Sequence, residues 1–148
     1  MEQTTNKSRT AAMFSGQVTL GRILVVDDEP DVRKVVRLYL EKAGYDVTEA
    51  ENGEQAVQEI KSGENPLLLD LILTDIRMPK LNGLEAIQFF QKEFPRVSLI
   101  VLTGFPDLTM ATTLMKNGII DYLVKPVEKE KLLSAVATAM EQREINHL

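Results

Sequence analysis

Short apolar runs, each ending abruptly in a polar or charged residue, alternate with helix-like stretches along most of this chain. That rhythm constrains the fold more than any other feature. Ile23 to Val26 ends in Asp27-Asp28, Leu67 to Thr74 in Asp75, Val97 to Leu102 in Thr103, and Ile119 to Val124 in Lys125-Pro126. A nearly continuous apolar run such as Leu67 to Thr74 reads as a strand buried on both faces. Tyr45 to Ala50 alternates and reads as a further strand. Between these runs Pro30 opens a helix with Val32, Val36, Tyr39, Leu40 and Ala43 on one face, and Gly44 stops it. Asn52-Gly-Glu-Gln55 reads as a capping box for a helix with Ala56, Val57 and Ile60 inward, followed by a loop from Ser62 to Pro66. Later helices are expected over Gly83 to Phe94, about Asp107 to Asn117, and Glu128 to roughly Arg143. Strands alternating with helices imply right-handed crossovers and a doubly wound α/β domain, a parallel sheet covered on both faces. Residues 1–20 are polar and aperiodic and read as a flexible tail, which leaves one domain over 21–143 and a short tail over 144–148.

In an open parallel sheet the carboxyl ends of the strands share one edge, and ligands bind there. Asp27, Asp28, Asp75, Thr103 and Lys125 should therefore converge on one site. Carboxylates placed together repel, at about 4 kcal/mol per pair for a separation of ~4 Å and an effective dielectric near 20. Lys125 offsets one charge, and a cation or a proton must offset much of the rest. The chain has no cysteine, and its one histidine, His147, stands next to the end. A histidine triad, a multi-histidine metal site and thiolate chemistry are thereby excluded. Oxygen-only ligands suit a hard ion, and Mg²⁺ fits best. A carboxylate beside Mg²⁺, a lysine and a hydroxyl supplies the parts for phosphoryl transfer through an aspartyl phosphate.

With those residues in hand, the sequence resembles the receiver domain of bacterial two-component response regulators. The matching stretches are Ile23-Leu-Val-Val-Asp-Asp-Glu-Pro30, Leu73-Thr-Asp-Ile-Arg-Met-Pro79 with Asn82-Gly83, Val101-Leu-Thr-Gly104 and Asp121-Tyr-Leu-Val-Lys-Pro126. The similarity covers about residues 22 to 143. It implies a flavodoxin-like three-layer sandwich with strand order 2-1-3-4-5. It also implies that Asp75 is the phosphoacceptor, Asp28 a direct Mg²⁺ ligand, Asp27 a ligand through water, and the Arg77 backbone carbonyl a further ligand. Lys125 would pair with the phosphoryl group, Thr103 would be the switch hydroxyl, and Tyr122 the aromatic that turns inward with it. The Lys125–Pro126 bond is expected to be cis. The donor would be a phosphohistidine on a histidine kinase or phosphotransfer protein, with homodimerisation on phosphorylation as one outcome.

Two departures carry expectations of their own. The spacing from Asp28 to Asp75 exceeds the commonest one, with the surplus expected before Leu67. Phe105 is bulky, and with Arg77 it flanks the path of hydrolytic water, so the pair is expected to shield the acyl phosphate. A phosphatase of the haloacid-dehalogenase type would also use an aspartyl phosphate, but it needs Asp-x-Asp where Asp27-Asp28-Glu29 stands. An interaction module that has lost phosphorylation is a further alternative, and the presence of all the site residues argues against it. The net charge of −5 argues against nucleic-acid contact by this domain. No apolar run approaches the roughly 20 residues of a membrane span, and the first 20 residues do not resemble a signal peptide, so the expected location is cytoplasmic. With about five residues after the last helix there is no room for an output domain. The chain is expected to be either a stand-alone receiver or one excised from a longer regulator.

Overall fold

A computed structural model describes residues 18–78 and 81–146. Five strands form one parallel sheet: β1 (Arg22–Val26), β2 (Asp46–Ala50), β3 (Leu69–Thr74), β4 (Ser98–Thr103) and β5 (Asp121–Val124). Their order across the sheet is β2-β1-β3-β4-β5, the doubly wound order expected. The crossovers are α1 (Pro30–Lys42), α2 (Gly53–Ile60), α3 (Gly83–Glu93) and α4 (Leu108–Lys116), and α5 (Lys129–Asn146) follows the last strand.

The apolar runs are continuous because each strand feeds two cores. Leu24, Val26, Ile72, Leu99 and Val101 pack with Ile60, Ile87, Phe90 and Leu114 from α2, α3 and α4. Ile23, Val25, Leu71, Leu73, Ile100 and Leu102 pack with Val36, Leu40, Leu132 and Val136 from α1 and α5. Neighbours along a strand point to opposite faces, so a strand covered on both sides has no polar positions left.

Local chemistry sets the helix ends. Pro30 occupies the first turn of α1. Asn52 accepts the Gln55 N–H at 2.8 Å, and the Gln55 amide oxygen reaches back to the Glu51 N–H at 3.1 Å, one residue earlier than a standard capping box. Asp107 caps α4 through the Met110 N–H at 3.1 Å. Past the ends of α1 and α4, Gly44 and Gly118 adopt φ of 106° and 96°, a region that strains any residue bearing a Cβ.

The third strand differs from its expected start. Asn65–Leu68 forms one helical turn and β3 begins at Leu69, while Leu67 is 80 % exposed. Pro66 sets a helical φ in that turn, and Asn65 anchors it by accepting from Arg22 Nη1 at 2.9 Å. The register of β3 is fixed with Val26 opposite Thr74 and Ile23 opposite Leu71. Asp70, which interrupts the apolar run, lies at a register shift and accepts the Arg22 N–H at 2.9 Å.

Three further differences sit at the margins. A two-residue hairpin pairs Arg77–Met78 with Leu81–Asn82, too short to leave a periodic signal. The last helix continues past Arg143 to Asn146, through a stretch that holds neither glycine nor proline. Thr19 and Leu20, expected within the N-terminal tail, are tied to the domain. The Leu20 N–H donates to Gly44 O at 2.9 Å, and Thr19 is buried with its hydroxyl on Gly21 O. Residues 1–17 and His147 lie outside the described residues.

Candidate functional site

The parallel ladder runs one residue beyond several strand ends, and those extra residues build the site. The Asp27 N–H donates to Ala50 O at 3.1 Å, the Asp75 N–H to Val26 O at 2.9 Å, and the Lys125 N–H to Thr103 O at 2.8 Å. Backbone pairing therefore fixes where each side chain leaves the sheet. Asp27 and Asp75 are 2 % and 5 % exposed, while Asp28 is exposed.

Lys125 joins them. Its ammonium lies 2.7 Å from Asp27 Oδ2, from Asp75 Oδ2 and from Glu29 Oε1. Carboxylate oxygens of Asp27, Asp28, Glu29 and Asp75 come within 4.8 Å of one another. Four carboxylates thus face one ammonium, and two of them have almost no contact with water. Burial raises the Asp27 carboxyl above its ordinary value even though Lys125 and the Glu29 N–H both donate to it. At Lys125 burial works against the charge, but hydrogen bonds to Asp27, Asp75 and Glu29 outweigh it and hold the ammonium above the ordinary lysine range. The cluster still lacks positive charge, and its donors are all oxygen, which is the donor set a hard divalent cation takes.

Short backbone bonds orient the Asp75 carboxylate. Asp75 Oδ1 accepts the Arg77 N–H at 2.9 Å, which leaves Oδ2 to the ammonium. The Arg77 guanidinium turns outward and lies 4.5 Å from the centre of the Phe105 ring, a cation–π pair. Thr103 is fully buried, and its hydroxyl oxygen accepts the Phe105 N–H at 3.1 Å. Tyr122 packs partly into the core, and its hydroxyl accepts the Asp107 N–H at 3.3 Å at the start of α4. The Lys125–Pro126 bond is cis, as the resemblance implied.

Asp27, Asp28, Asp75 and Lys125 thus meet in one cluster, Thr103 pairs with Lys125 through the backbone, and Arg77 sits on the Asp75 turn. Tyr122 lies farther along, bonded to α4 rather than to the cluster. The one member that residue reading passed over is Glu29. Its signal is the third acid of Asp27-Asp28-Glu29, next to the Pro30 that opens α1.

A doubly wound sheet with this edge defines a class, and comparison with known proteins identifies it. Residues 23–137 match the family model described as the response regulator receiver domain. The response regulator protein PilR of Pseudomonas aeruginosa is 35 % identical over 122 residues, which are 82 % of this chain and 26 % of PilR. The chain therefore spans about a quarter of the length of that relative. A solved response regulator receiver domain from Clostridium thermocellum superposes with a TM-score of 0.78 at 33 % identity, covering 85 % of this chain and 98 % of that one. The regulator TrrA of Thermotoga maritima, solved with Mg²⁺ and BeF, gives a TM-score of 0.69 at 33 % identity, covering 81 % of this chain and 99 % of that one. The chain belongs to the response regulator receiver domain family of two-component signalling.

Proposed function

We propose that this receiver domain takes a phosphoryl group from a phosphohistidine onto Asp75 in a Mg²⁺-dependent reaction, and that phosphorylation changes which partner it binds. The observation that carries the reading is the Lys125 ammonium bridging two nearly buried carboxylates, Asp27 and Asp75, inside a cluster of four. Asp27, Asp28, Asp75 and the backbone carbonyl of Arg77 would hold the ion. TrrA, which is similar to this chain, was solved with Mg²⁺ and BeF. The ion would supply charge neutralisation on the transferring group.

This chain's residues account for the rest. Asp75 is the nucleophile: the Asp75 O–P bond forms as the donor's P–N bond breaks, and the imidazole leaves with the electron pair. Lys125 follows the charge from the carboxylate to a phosphoryl oxygen. Thr103 already accepts the Phe105 N–H through its oxygen, so its own hydrogen is available to donate to a second phosphoryl oxygen. Turning Thr103 toward the phosphoryl group opens space for Tyr122, which leaves the Asp107 N–H and loosens the start of α4. Phosphorylation then biases the surface of α4, β5 and α5 between two arrangements. The partner that delivers the group is a histidine kinase or a phosphotransfer protein. The domain catalyses only its own phosphorylation and dephosphorylation, in the cytoplasm. Among the described residues no helix is long and apolar enough to cross a membrane.

Thermal melting with beryllium fluoride tests the reading. A ligand that binds only the native state stabilises it by about 2.7 kcal/mol at a hundredfold over its dissociation constant. The melting point is expected to rise with beryllium fluoride and Mg²⁺ together and with neither alone to the same extent. An equal rise in Asp75→Asn, or no dependence on Mg²⁺, would defeat the proposal.

A further inference from the structure

Glu29 stands where a helix-capping side chain would, at the N-cap of α1, yet its carboxylate makes no capping bond. Its backbone N–H instead donates to Asp27 Oδ1 at 2.9 Å, and its carboxylate crosses to Lys125 Nζ at 2.7 Å. An ammonium has three hydrogens, and here all three go to carboxylates: Asp27, Asp75 and Glu29. These acceptors differ in freedom. The side chains of Asp27 and Asp75 are 2 % and 5 % exposed, and that of Glu29 is 59 % exposed. Glu29 can follow the ammonium, and the other two cannot.

Phosphorylation demands such a movement. Asp75 Oδ1 is tied to the Arg77 N–H, and Oδ2, the oxygen free of the backbone, has Lys125 against it. Once Oδ2 bonds to phosphorus the negative charge passes to the phosphoryl oxygens, so the ammonium must shift from Oδ2 toward them while staying beside the site. We infer that Glu29 is a positioning residue for Lys125, drawing the ammonium off Asp75 Oδ2 as the phosphoryl group arrives and holding it beside the site. This rests on Asp75 being the phosphoacceptor. With acetyl phosphate as donor, the Asp75 Oδ2–P bond forms as the P–O bond to acetate breaks. Acetate leaves with the electron pair, and no proton moves. Lys125 exchanges its bond to Oδ2 for one to a phosphoryl oxygen and keeps its bond to Glu29 throughout.

The test follows phosphorylation by acetyl phosphate with intact-protein mass spectrometry, across a Mg²⁺ titration, in wild type, Glu29→Gln, Glu29→Asp and Asp75→Asn. Glu29→Gln keeps the size and removes the charge. Its rate at saturating Mg²⁺ is expected to fall about tenfold, the lower end of the worth of one charge-assisted bond, with the half-saturating Mg²⁺ concentration unchanged. Glu29→Asp restores part of the rate. Equal rates in wild type and Glu29→Gln overturn the inference. So does a defect that vanishes at saturating Mg²⁺, since Glu29 would then act as a metal ligand. Failure of the underlying reading looks different: wild type would gain no mass that Asp75→Asn lacks, and the inference would fall with it.

Discussion

Single side chains in this site work against one another, and their conflicts are measurable. Burial holds the Asp27 carboxyl above its ordinary value of 3.8. A raised acid binds its proton more tightly in the folded chain than in the unfolded one, so its contribution to stability shrinks as pH rises from about that value through the folded one. With Mg²⁺ chelated, Asp27→Asn is therefore expected to gain on wild type in thermal melts as pH is raised from about 4 to 7. Adding Mg²⁺ should erase the gain. A constant difference across that range would mean that burial of the charge is not what Asp27 costs. Phe105 and Arg77 form the other residue-scale feature. The Arg77 guanidinium lies 4.5 Å from the centre of the Phe105 ring, which is 62 % exposed, and the pair is proposed to shield the acyl phosphate. Phe105→Ala is expected to lose its phosphoryl group faster than wild type, followed by mass spectrometry after donor removal, and slower loss would contradict the shielding role.

Elements are held by strand burial rather than by apolar content as such. Leu67 and Leu71 stood in one apolar run, yet Leu67 is 80 % exposed in the turn before β3 and Leu71 is fully buried within it. Leu71→Ala is expected to cost about 2–5 kcal/mol through the cavity it leaves, and Leu67→Ala to stay within about 0.5 kcal/mol. Denaturant melts would separate the two, and similar losses would mean that the turn packs elsewhere. The run looked like one strand because nothing in its apolarity marks where the chain enters the sheet. Pro66 did mark it. Its fixed φ opens the helical turn, and Asn65 bonding to Arg22 closes it onto β1.

At the scale of the whole molecule, the proposed switch predicts a surface that responds to phosphorylation. Leu108 of α4 is 85 % exposed, Met115 of the same helix 46 % and Val124 of β5 45 %, and the Tyr122 hydroxyl of β5 accepts the Asp107 N–H that starts α4. An apolar set of this kind suits a protein contact. Light scattering is expected to show self-association with beryllium fluoride and Mg²⁺ that Leu108→Glu abolishes, while the melting shift of the variant stays as in wild type. Self-association untouched by that substitution would place the contact elsewhere. The two readouts separate loading of the site from use of the surface.

Much of this was legible in the sequence by itself. Period and burial pattern determined five strands, five helices and a parallel sheet, because a strand covered on both faces must be apolar throughout. The carboxyl-end rule then gathered Asp27, Asp28, Asp75, Thr103 and Lys125, because parallel strands put all their ends on one edge. Only the tertiary structure decided that Glu29 turns from its helix to the ammonium of Lys125, that Arg77 lies on Phe105, and that the chain enters β3 through a helical turn at Asn65. Those outcomes depend on which side chains meet across distant segments. No local periodicity encodes such meetings, since each partner comes from a segment distant in sequence.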